Sequence, residues 1–303
     1  MQKLLVLPLL VLLSVACSDS SQDQYQQASE KFDQEDYEGA ITLLDEVISK
    51  DDQHAEAYFT RGSSKFNLND FEGALNDYSR AVTLSGDNID AELYFFRGAA
   101  NVQLDNVPDA IRDFTMAVTT MPDYADAFYA RGKAWMSIDN LDSALVDFAR
   151  SLEINPNLDG PDFALGSYYS GLPDYERAVF HYSRAIAISP RPEYFFNRGI
   201  MHYLENDFSN ALSDFDSTLQ VDDQFVDAYI LRGSVRDEAG NPAEALLDFD
   251  AAIKLDPENG SAYFNRGITR KSQGDLKGAC EDFNQALSLG YMEAIAKTGD
   301  CPS

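Results

Sequence analysis

Small and apolar residues recur along this chain at spacings that place them on one side of a helix. An alanine is followed four residues later by a large apolar residue and three residues after that by a small one, as in Ala110, Phe114 and Ala117. Residues three or four apart lie on the same side of an α-helix, so each such segment predicts a helix with a buried stripe. The leading alanine occurs eight times at intervals of 33 to 36 residues: Ala40, Ala74, Ala110, Ala144, Ala178, Ala211, Ala245 and Ala279.

A second small residue precedes each of these alanines by twelve positions and marks a second helix. It is Ala28 in the first unit and glycine in the seven others: Gly62, Gly98, Gly132, Gly166, Gly199, Gly233 and Gly267. Helices that approach to 8–10 Å leave room only for small side chains at the point of contact. A polar turn separates the two helices, and a proline, which cannot continue a helix, closes four units: Pro122, Pro156, Pro190 and Pro257.

This unit resembles the tetratricopeptide repeat (TPR), whose pattern has an aromatic residue at position 4, Gly at 8, Ala at 20, an aromatic residue at 24, Ala at 27 and Pro at 32. The resemblance implies two antiparallel helices per unit, here called helix A and helix B. It implies an all-α fold, a right-handed α-solenoid (superhelix) of about eight helix-turn-helix units with a C-terminal capping helix. No unit can bury its faces alone, which is why such units form arrays.

The pattern also predicts the organisation of the chain. We expect one array over residues 23–290 and a cap over residues 291–303. The predicted repeats span residues 21–54, 55–88, 91–124, 125–158, 159–191, 192–225, 226–259 and 260–290.

The first residues have a different character. Lys3 precedes a short apolar run, residues 4–13, and the small residues before Cys17. The run is too short to span a bilayer core and is typical of a secretory signal, predicted at residues 1–16. Cys17 after Ala16 resembles the lipobox of bacterial lipoproteins, although Ser14 stands where leucine is usual. The resemblance implies lipidation of Cys17, a flexible tether at residues 17–22 and a lipid-anchored protein of a Gram-negative cell envelope, at the outer membrane, its periplasmic face or the cell surface. The alternative is an ordinary signal peptide cut after Ala16.

An arginine precedes the glycine in six units, at position 7, where the family usually has leucine. An aspartate stands sixteen residues later, at position 23, in the same six units. The first unit has Gln27 and Leu43 at these positions and the fifth has Leu165 and His181, so the two residue types appear and vanish together. We therefore predict an ion pair between helices A and B of each unit, rather than the alternative, a row of anion-binding sites. The predicted pairs are Arg61–Asp77, Arg97–Asp113, Arg131–Asp147, Arg198–Asp214, Arg232–Asp248 and Arg266–Asp282.

The fifth unit departs from the pattern, with Gly160, Pro161, Gly171 and Pro173 among its residues. Structural drift is one interpretation of this departure, and a hinge or partner-contact site in the middle of the array is the other. Two tyrosines of the unit are expected to be exposed and are candidates for partner contact: Tyr168 and Tyr169.

In the family, several positions of helix A line the concave face of the solenoid, among them position 5. Aromatic-rich concave surfaces suit peptides, so these residues are candidates for binding a protein or peptide partner. At position 5 this chain has Phe59, Phe95, Tyr129, Phe163, Phe196, Ile230 and Phe264.

The charge balance narrows the class of partner. The chain has 23 basic and 51 acidic side chains and a net charge of −28. Nucleic-acid binding needs a basic face, so it is excluded, and contact with a membrane is expected through the lipid anchor alone. The acidity indicates either a solubilising surface or a basic partner; position 2 of helix A, adjacent to the groove, is acidic in five units: Glu56, Glu92, Asp126, Glu193 and Asp227.

No catalytic or metal-binding motif is present. The three histidines, His54, His181 and His202, lie in different units without partners at ligand spacing. We expect no enzymatic activity, no metal and no cofactor. With Cys17 lipidated, Cys280 and Cys301 remain as an even pair in an oxidising compartment, so a disulfide between them is expected, against two separate thiols.

These observations predict a non-enzymatic scaffold that binds a protein or peptide partner in its concave groove, within envelope assembly, secretion or uptake complexes. The alternative is a lipoprotein that captures a ligand such as a glycan or nutrient. It resembles the longer TPR-containing glycan-binding lipoproteins, whose insertions between repeats the near-constant spacing here does not accommodate.

Overall fold

The computed structural model describes residues 9–86, 90–298 and 301, and their side chains from residue 21 onward except that of Thr298. Within these residues the chain forms seventeen α-helices and one 3-10 helix, and no strand. The predicted all-α class and its helix-turn-helix repeats are confirmed. Residues 1–8 and the side chain of Cys17 lie outside the described part, so the signal peptide and the lipidation stay predictions.

The chain forms two compact units, Met1–Pro156 and Asn157–Ser303. Unit 1 contains α1 (Leu9–Asp33), α2 (Tyr37–Lys50), α3 (Ala55–Asn67), α4 (Phe71–Ser85), α5 (Ala91–Gln103), α6 (Val107–Thr120), α7 (Ala125–Ser137) and α8 (Leu141–Ile154). Unit 2 contains α9 (Asp159–Gly171), α10 (Tyr175–Ile188), α11 (Pro192–Leu204), α12 (Phe208–Val221), α13 (Val226–Glu238), α14 (Pro242–Leu255), α15 (Gly260–Ser272), α16 (Leu276–Ser288), a 3-10 helix (Met292–Ala294) and α17 (Ile295–Thr298). From α1 to α16, odd-numbered helices are the A helices and even-numbered helices the B helices.

Each B helix begins where the sequence supplies a cap. Asp or Asn stands just before the first residue of most B helices, and in six of them its side chain accepts the backbone N–H three residues on, as Asp70 does from Gly73 at 3.0 Å. This bond satisfies one of the amide groups that a helix start leaves without a partner. The cap therefore fixes the turn between helices A and B.

Most B helices end in an extended residue, and four of these residues precede a proline. Met121 before Pro122 has φ −128° and ψ 93°. A residue before proline is pushed out of the helical region, and the proline itself has no N–H to donate. The ends of the helices thus follow from the sequence as directly as their starts.

The glycine at position 8 is required by the aromatic residue at position 24. A Cβ atom added at Gly132 would lie 2.6 Å from a ring carbon of Phe148, and the same contact recurs in every unit with this glycine, at 2.6 to 2.9 Å. In the first unit the corresponding residues are Ala28 and Leu44. The leucine is smaller than an aromatic residue and leaves room for the alanine methyl group, and both residues are fully buried. The rings at position 24 are nearly all fully buried and form the centre of each helical pair.

The N-terminal helix differs from the expectation for residues 17–22. The backbone there continues α1, where the sequence predicts a flexible tether. Tyr25, Ala28 and Phe32 pack α1 into the first core cluster. A helix already fixed by packing adds further residues at low cost, which explains the extension.

The C-terminal end is held by the predicted disulfide. The Sγ atoms of Cys280 on α16 and Cys301 are bonded, with the Cα atoms 5.6 Å apart. The 3-10 helix and α17 pack on α16, and the Tyr291 ring lies 5.0 Å from that of Phe264. These elements therefore cover the last B helix, and Tyr291 contacts the last A helix, the role that the sequence assigns to a cap.

Candidate functional site

The six predicted ion pairs are present, each inside one repeat. In each pair Nε and one terminal nitrogen of the arginine donate to the two carboxylate oxygens, as Arg131 does to Asp147 at 2.8 Å for both bonds. The six aspartates are each 3% exposed. The hydrogen bond to Asp77 is the main reason why the pKa of Arg61 is raised above its ordinary value.

The remaining terminal nitrogen of the arginine reaches the preceding repeat. In five cases it donates to an acceptor on the previous B helix, at 2.6 to 3.2 Å. The acceptors are Asp45, Thr115, Ser183, Asp216 and Asp250. Sequence reasoning missed this link because the acceptor varies between Asp, Ser and Thr, although a polar residue recurs at that position.

Aromatic rings complete the surroundings of these arginines. The ring three residues before each arginine lies 5.3 to 6.0 Å from the guanidinium carbon, as Tyr58 does beside Arg61. A carboxylate and a ring engage each of the six guanidinium groups, and an acceptor of the preceding repeat engages five of them, so the geometry favours a structural ion pair over a row of anion-binding sites.

The fifth repeat contains a different fastening, which the sequence did not reveal. Asp162 at position 4 is fully buried, and its Oδ1 lies 2.9 Å from Nδ1 of His181 at position 23. A terminal nitrogen of Arg184 lies 3.3 Å from the other oxygen, Oδ2. The acid is thus on helix A and the base on helix B, the reverse of the other repeats.

The two tyrosines of the fifth repeat are less exposed than the sequence predicts. Tyr168 and Tyr169 are both half-buried. The ring of Tyr169 stacks on His181 at 5.5 Å, and the guanidinium of Arg177 lies 4.3 Å from the same ring. Tyr169 therefore packs against the buried pair, which makes it part of the internal packing of this repeat.

The aromatic residues at position 5 pack between repeats. Phe95 lies 5.8 Å from Phe114 of its own repeat and 5.1 Å from Tyr124, which precedes the next A helix. Phe59, Tyr129, Phe163, Phe196 and Phe264 are likewise half-buried. Ile230 is 5% exposed, so this groove candidate is corrected to a core residue, packed with Phe249 and Ala262.

In unit 1 the A helices α1, α3, α5 and α7 contact one another in order, forming what we call the A-helix face. Between α5 and α7 this face has an open cleft of about 460 Å³, the α5–α7 cleft. Its lining is mainly apolar, with Asp126 and Lys133 as its charged residues: Phe95, Ala99, Val102, Gln103, Val107, Phe114, Asp126, Tyr129, Ala130, Lys133, Ala134 and Ser137. Two of the predicted groove residues, Phe95 and Tyr129, are thus brought together here.

Smaller clefts continue along the same face between α3 and α5. One of about 250 Å³ is lined by Phe59, Glu56, Asp90 and Glu92 among others. A second, of about 270 Å³, adds Phe32, Phe66 and Phe96 to Phe59 and Glu92. Aromatic floors with carboxylates beside them therefore recur along unit 1.

The carboxylates give this face a negative potential. Burial raises the pKa of Tyr124 to about 12, and the charges of Glu92, Asp126 and Asp90 add to the effect. Burial is the larger cause of this shift, and only the smaller effect of the three carboxylates also favours a cation beside the ring.

Other kinds of site receive no support from the part of the chain described. No group of His, Cys, Asp and Glu side chains among these residues has the arrangement of a metal site. Among the described helices, none has the length and apolar character needed to cross a bilayer.

Comparison with known proteins agrees with the geometry. A tetratricopeptide repeat family model matches residues 25–89, 59–120 and 230–294, and a second one residues 163–192. No curated protein matches the chain. A tetratricopeptide repeat protein from Parabacteroides merdae is 18% identical, with a TM-score of 0.60 over 83% of this chain and 99% of its own.

Two further solved structures share the fold. The C-terminal part of a TPR repeat-containing protein from Cytophaga hutchinsonii is 15% identical, with a TM-score of 0.64 over 80% of this chain and 98% of that one. YrrB, described as a TPR protein with an unusual peptide-binding site, is 20% identical, with a TM-score of 0.55 over 61% of this chain and 97% of its own. The first family model alone covers more than half of the residues. The chain therefore belongs to the tetratricopeptide repeat family.

Proposed function

We propose that this protein is a non-enzymatic scaffold that holds a protein or peptide partner on the A-helix face of unit 1. The α5–α7 cleft is the observation that carries this proposal. It is open, about 460 Å³ in volume, and combines an apolar lining with two charged residues that can orient a ligand. Similarity to YrrB, which has a peptide-binding site, supports the same use of the fold.

The partner is proposed to be basic where it meets this face. Glu56, Glu92 and Asp126 are exposed at position 2 of successive A helices. A cationic segment laid across them gains from the attraction of opposite charges and associates faster. The net charge of −28 acts in the same direction at longer range.

We further propose that the protein is exported and held at the membrane by a lipid on Cys17. The charged, apolar and small-residue sequence of residues 1–16 supports export, and Ala16–Cys17 supports lipidation. The disulfide between Cys280 and Cys301 supports an oxidising compartment. The expected location is the cell envelope, at the outer membrane, its periplasmic face or the cell surface.

Site-specific photo-cross-linking in the native cell tests the binding face. The photoreactive amino acid p-benzoylphenylalanine replaces Val102, which lines the α5–α7 cleft and is 42% exposed. The control replaces Val146 on the B helix α8, a valine that is 68% exposed. We expect a discrete cross-linked protein from position 102 and none from position 146. Equal cross-linking at both positions, or none at either, would refute the binding face.

The alternative ligand class has a separate readout. If position 102 yields no cross-linked protein, while soluble glycans raise the melting temperature of the purified chain, a ligand-capturing function replaces the scaffold function.

The lipid tether is tested by metabolic labelling with an alkyne fatty acid. The wild-type chain should carry the label and Cys17→Ser should not; an unlabelled wild-type chain would refute lipidation.

A further inference from the structure

The two ends of the α5–α7 cleft carry opposite charges. Asp126 lies in the first turn of α7 and Lys133 two turns further along the same helix. Seven residues of α-helix separate charges on one side by about 10 Å. Both residues are exposed. The cleft thus has a direction along α7, with an acidic and a basic end.

Lys133 differs from the arginines of the same helices in what it contacts. Arg97 and Arg131 are held by the carboxylates of Asp113 and Asp147. The ammonium of Lys133 instead lies 5.6 Å from the centre of the Tyr129 ring, at the cleft wall. Its charge is therefore placed over the apolar lining, where a bound carboxylate would meet it.

The acidic end is reinforced from the neighbouring helix. Asp90 and Glu92 stand at the start of α5, and their charges act together with that of Asp126 on Tyr124. Asp126 at one end and Lys133 at the other give the cleft an electrostatic pattern that a uniformly basic ligand does not match, and Asp90 and Glu92 line the adjoining cleft between α3 and α5. Between the ends, Phe95, Val102 and Phe114 offer apolar contact.

We propose that the α5–α7 cleft recognises a peptide segment with a basic residue, a bulky apolar residue and an acidic residue, the two charged residues three positions apart. In the polyproline II conformation, which has three residues per turn and a rise of about 3.1 Å per residue, side chains three positions apart point to the same side and lie about 9 Å apart. This matches the roughly 10 Å between Asp126 and Lys133. The basic side chain meets Asp126, the apolar side chain enters the cleft, and the acidic side chain meets Lys133. This inference rests on the proposed function and specifies its ligand.

Three labelled synthetic peptides with identical flanks test the pattern by fluorescence anisotropy on the purified chain without residues 1–16. Their central residues are Lys-Phe-Ser-Glu, Lys-Phe-Ser-Lys and Glu-Phe-Ser-Glu. We expect the first to bind about tenfold more tightly than the second, although the second carries more positive charge and the protein is acidic. Equal or tighter binding of Lys-Phe-Ser-Lys, or no binding of any peptide, would overturn the proposal.

Charge reversal at the basic end supplies the decisive variant. Lys133→Glu should reverse the order, so that Lys-Phe-Ser-Lys binds more tightly than Lys-Phe-Ser-Glu. Lys277→Glu is the matched control, because it makes the same change in net charge at a side chain that is 88% exposed on α16 of unit 2. It should leave the order unchanged. A reversal in both variants would show that net charge alone decides binding and would overturn the proposal.

Filling the cleft separates apolar anchoring from charge. Ala99→Trp, with its helical circular dichroism verified, should weaken binding of all three peptides about tenfold or more. Unaltered affinity would place the peptide elsewhere and refute the site. Photo-cross-linking at position 102 keeps the tests distinct: a partner captured there with no peptide preference refutes this inference alone, whereas no partner refutes the proposed function.

Discussion

Nδ1 of His181 lies 2.9 Å from Oδ1 of Asp162, and this contact replaces in one repeat the arginine–aspartate pair of six others. Asp162 is fully buried, so its charge depends on His181 and Arg184 for compensation. The fifth repeat therefore retains an ion pair between its two helices, with histidine in place of arginine as the base and with the aspartate on the opposite helix.

Removing one partner of that contact should destabilise the protein. His181→Ala leaves the carboxylate of Asp162 buried beside Arg184 alone, and we expect a loss of about 3 kcal/mol in the free energy of unfolding. Urea denaturation measures it. The triple variant Asp162→Tyr, Leu165→Arg and His181→Asp installs the arrangement of the other repeats and should recover most of the loss. If His181→Ala unfolds at the wild-type urea concentration, the pair is not a fastening.

The arginine–aspartate pairs should respond in the same way. Asp113→Ala leaves Arg97 without its bidentate carboxylate and Asn101 without an acceptor, so we expect a lower melting temperature and a loss of about 2–4 kcal/mol. Asp109→Ala on the same helix is the control, since Asp109 is 54% exposed and pairs with an exposed arginine. Equal effects of the two substitutions would contradict a structural role for the pair.

The contact between glycine and ring can be tested by a double-mutant cycle. Gly132→Ala places a methyl group 2.6 Å from the Phe148 ring and should cost about 1–3 kcal/mol in stability. Phe148→Leu removes that clash while leaving a smaller core, as in the first repeat with Ala28 and Leu44. The double variant should therefore be more stable than the sum of the single effects predicts. Strict additivity in chemical denaturation would show that the two residues do not interact.

The buried tyrosine at position 24 of the second repeat should make stability depend on alkaline pH. Burial raises the pKa of Tyr78 to about 12 from 10.0, opposed by its hydrogen bond to Ser63 and aided by the charge of Asp77. The unfolded chain loses this proton at lower pH than the folded chain does, so stability is complete below pH 10 and falls as the pH rises toward 12. We expect a loss of about 2–3 kcal/mol from this group.

Tyr78→Phe isolates that contribution, because phenylalanine occupies the equivalent position in five other repeats: Phe114, Phe148, Phe215, Phe249 and Phe283. The variant should keep wild-type stability at pH 7 within about 1 kcal/mol, since it loses one weak hydrogen bond to Ser63. Its decline between pH 10 and 12 should be shallower than that of the wild type. Parallel curves in guanidinium titrations would contradict the assignment.

The turn of the fifth repeat offers a stabilising substitution. Pro173 has φ +29°, at a turn position where Asn69 and Asn206 have φ 63° and 59°. Proline favours φ near −65°, whereas asparagine accepts the left-handed region, so Pro173→Asn should raise stability by about 1 kcal/mol or more. Differential scanning calorimetry measures the shift. The opposite substitution at the equivalent turn position of the sixth repeat, Asn206→Pro, should lower the melting temperature. A higher melting temperature for Asn206→Pro would contradict the role of backbone conformation at this turn.

Much of this architecture was predictable because each repeat poses the same packing problem. A glycine and an aromatic ring recur at the spacing of Gly132 and Phe148, and an arginine and an aspartate recur at the spacing of Arg131 and Asp147. Because the arginine and the aspartate occur in the same six repeats, the sequence alone identifies them as partners. The sequence does not predict the Asp162–His181 contact, because the acidic residue of this pair is at position 4 of helix A and not at position 23 of helix B. Positions 4 and 7 lie on the same side of helix A, so a charged residue at either position can reach helix B. Only one repeat uses position 4, and a single case shows no recurring pattern.

The candidate site was less predictable than the fold. Phe95 and Tyr129 were identified as groove residues from their position in the repeat, and both line the α5–α7 cleft. Ile230 occupies the equivalent position and is buried, because neighbouring side chains and not the repeat position decide exposure. The sequence does not identify Lys133 as a site residue, since a single lysine at position 9 becomes a candidate only once the cleft that it lines is known.

The arginine at position 7 always pairs with the same residue type within its own repeat, and in five of six cases it also bonds to a variable residue type in the repeat before it. The partner at position 23 is aspartate in all six cases, while the acceptor on the preceding B helix is an aspartate, a serine or a threonine. A contact that accepts a carboxylate or a hydroxyl equally constrains the preceding repeat very little. At this one contact the sequence of a B helix can therefore vary while the ion pair of the next repeat stays the same, whereas the fifth repeat, with Leu165 at position 7, has no donor for such a bond.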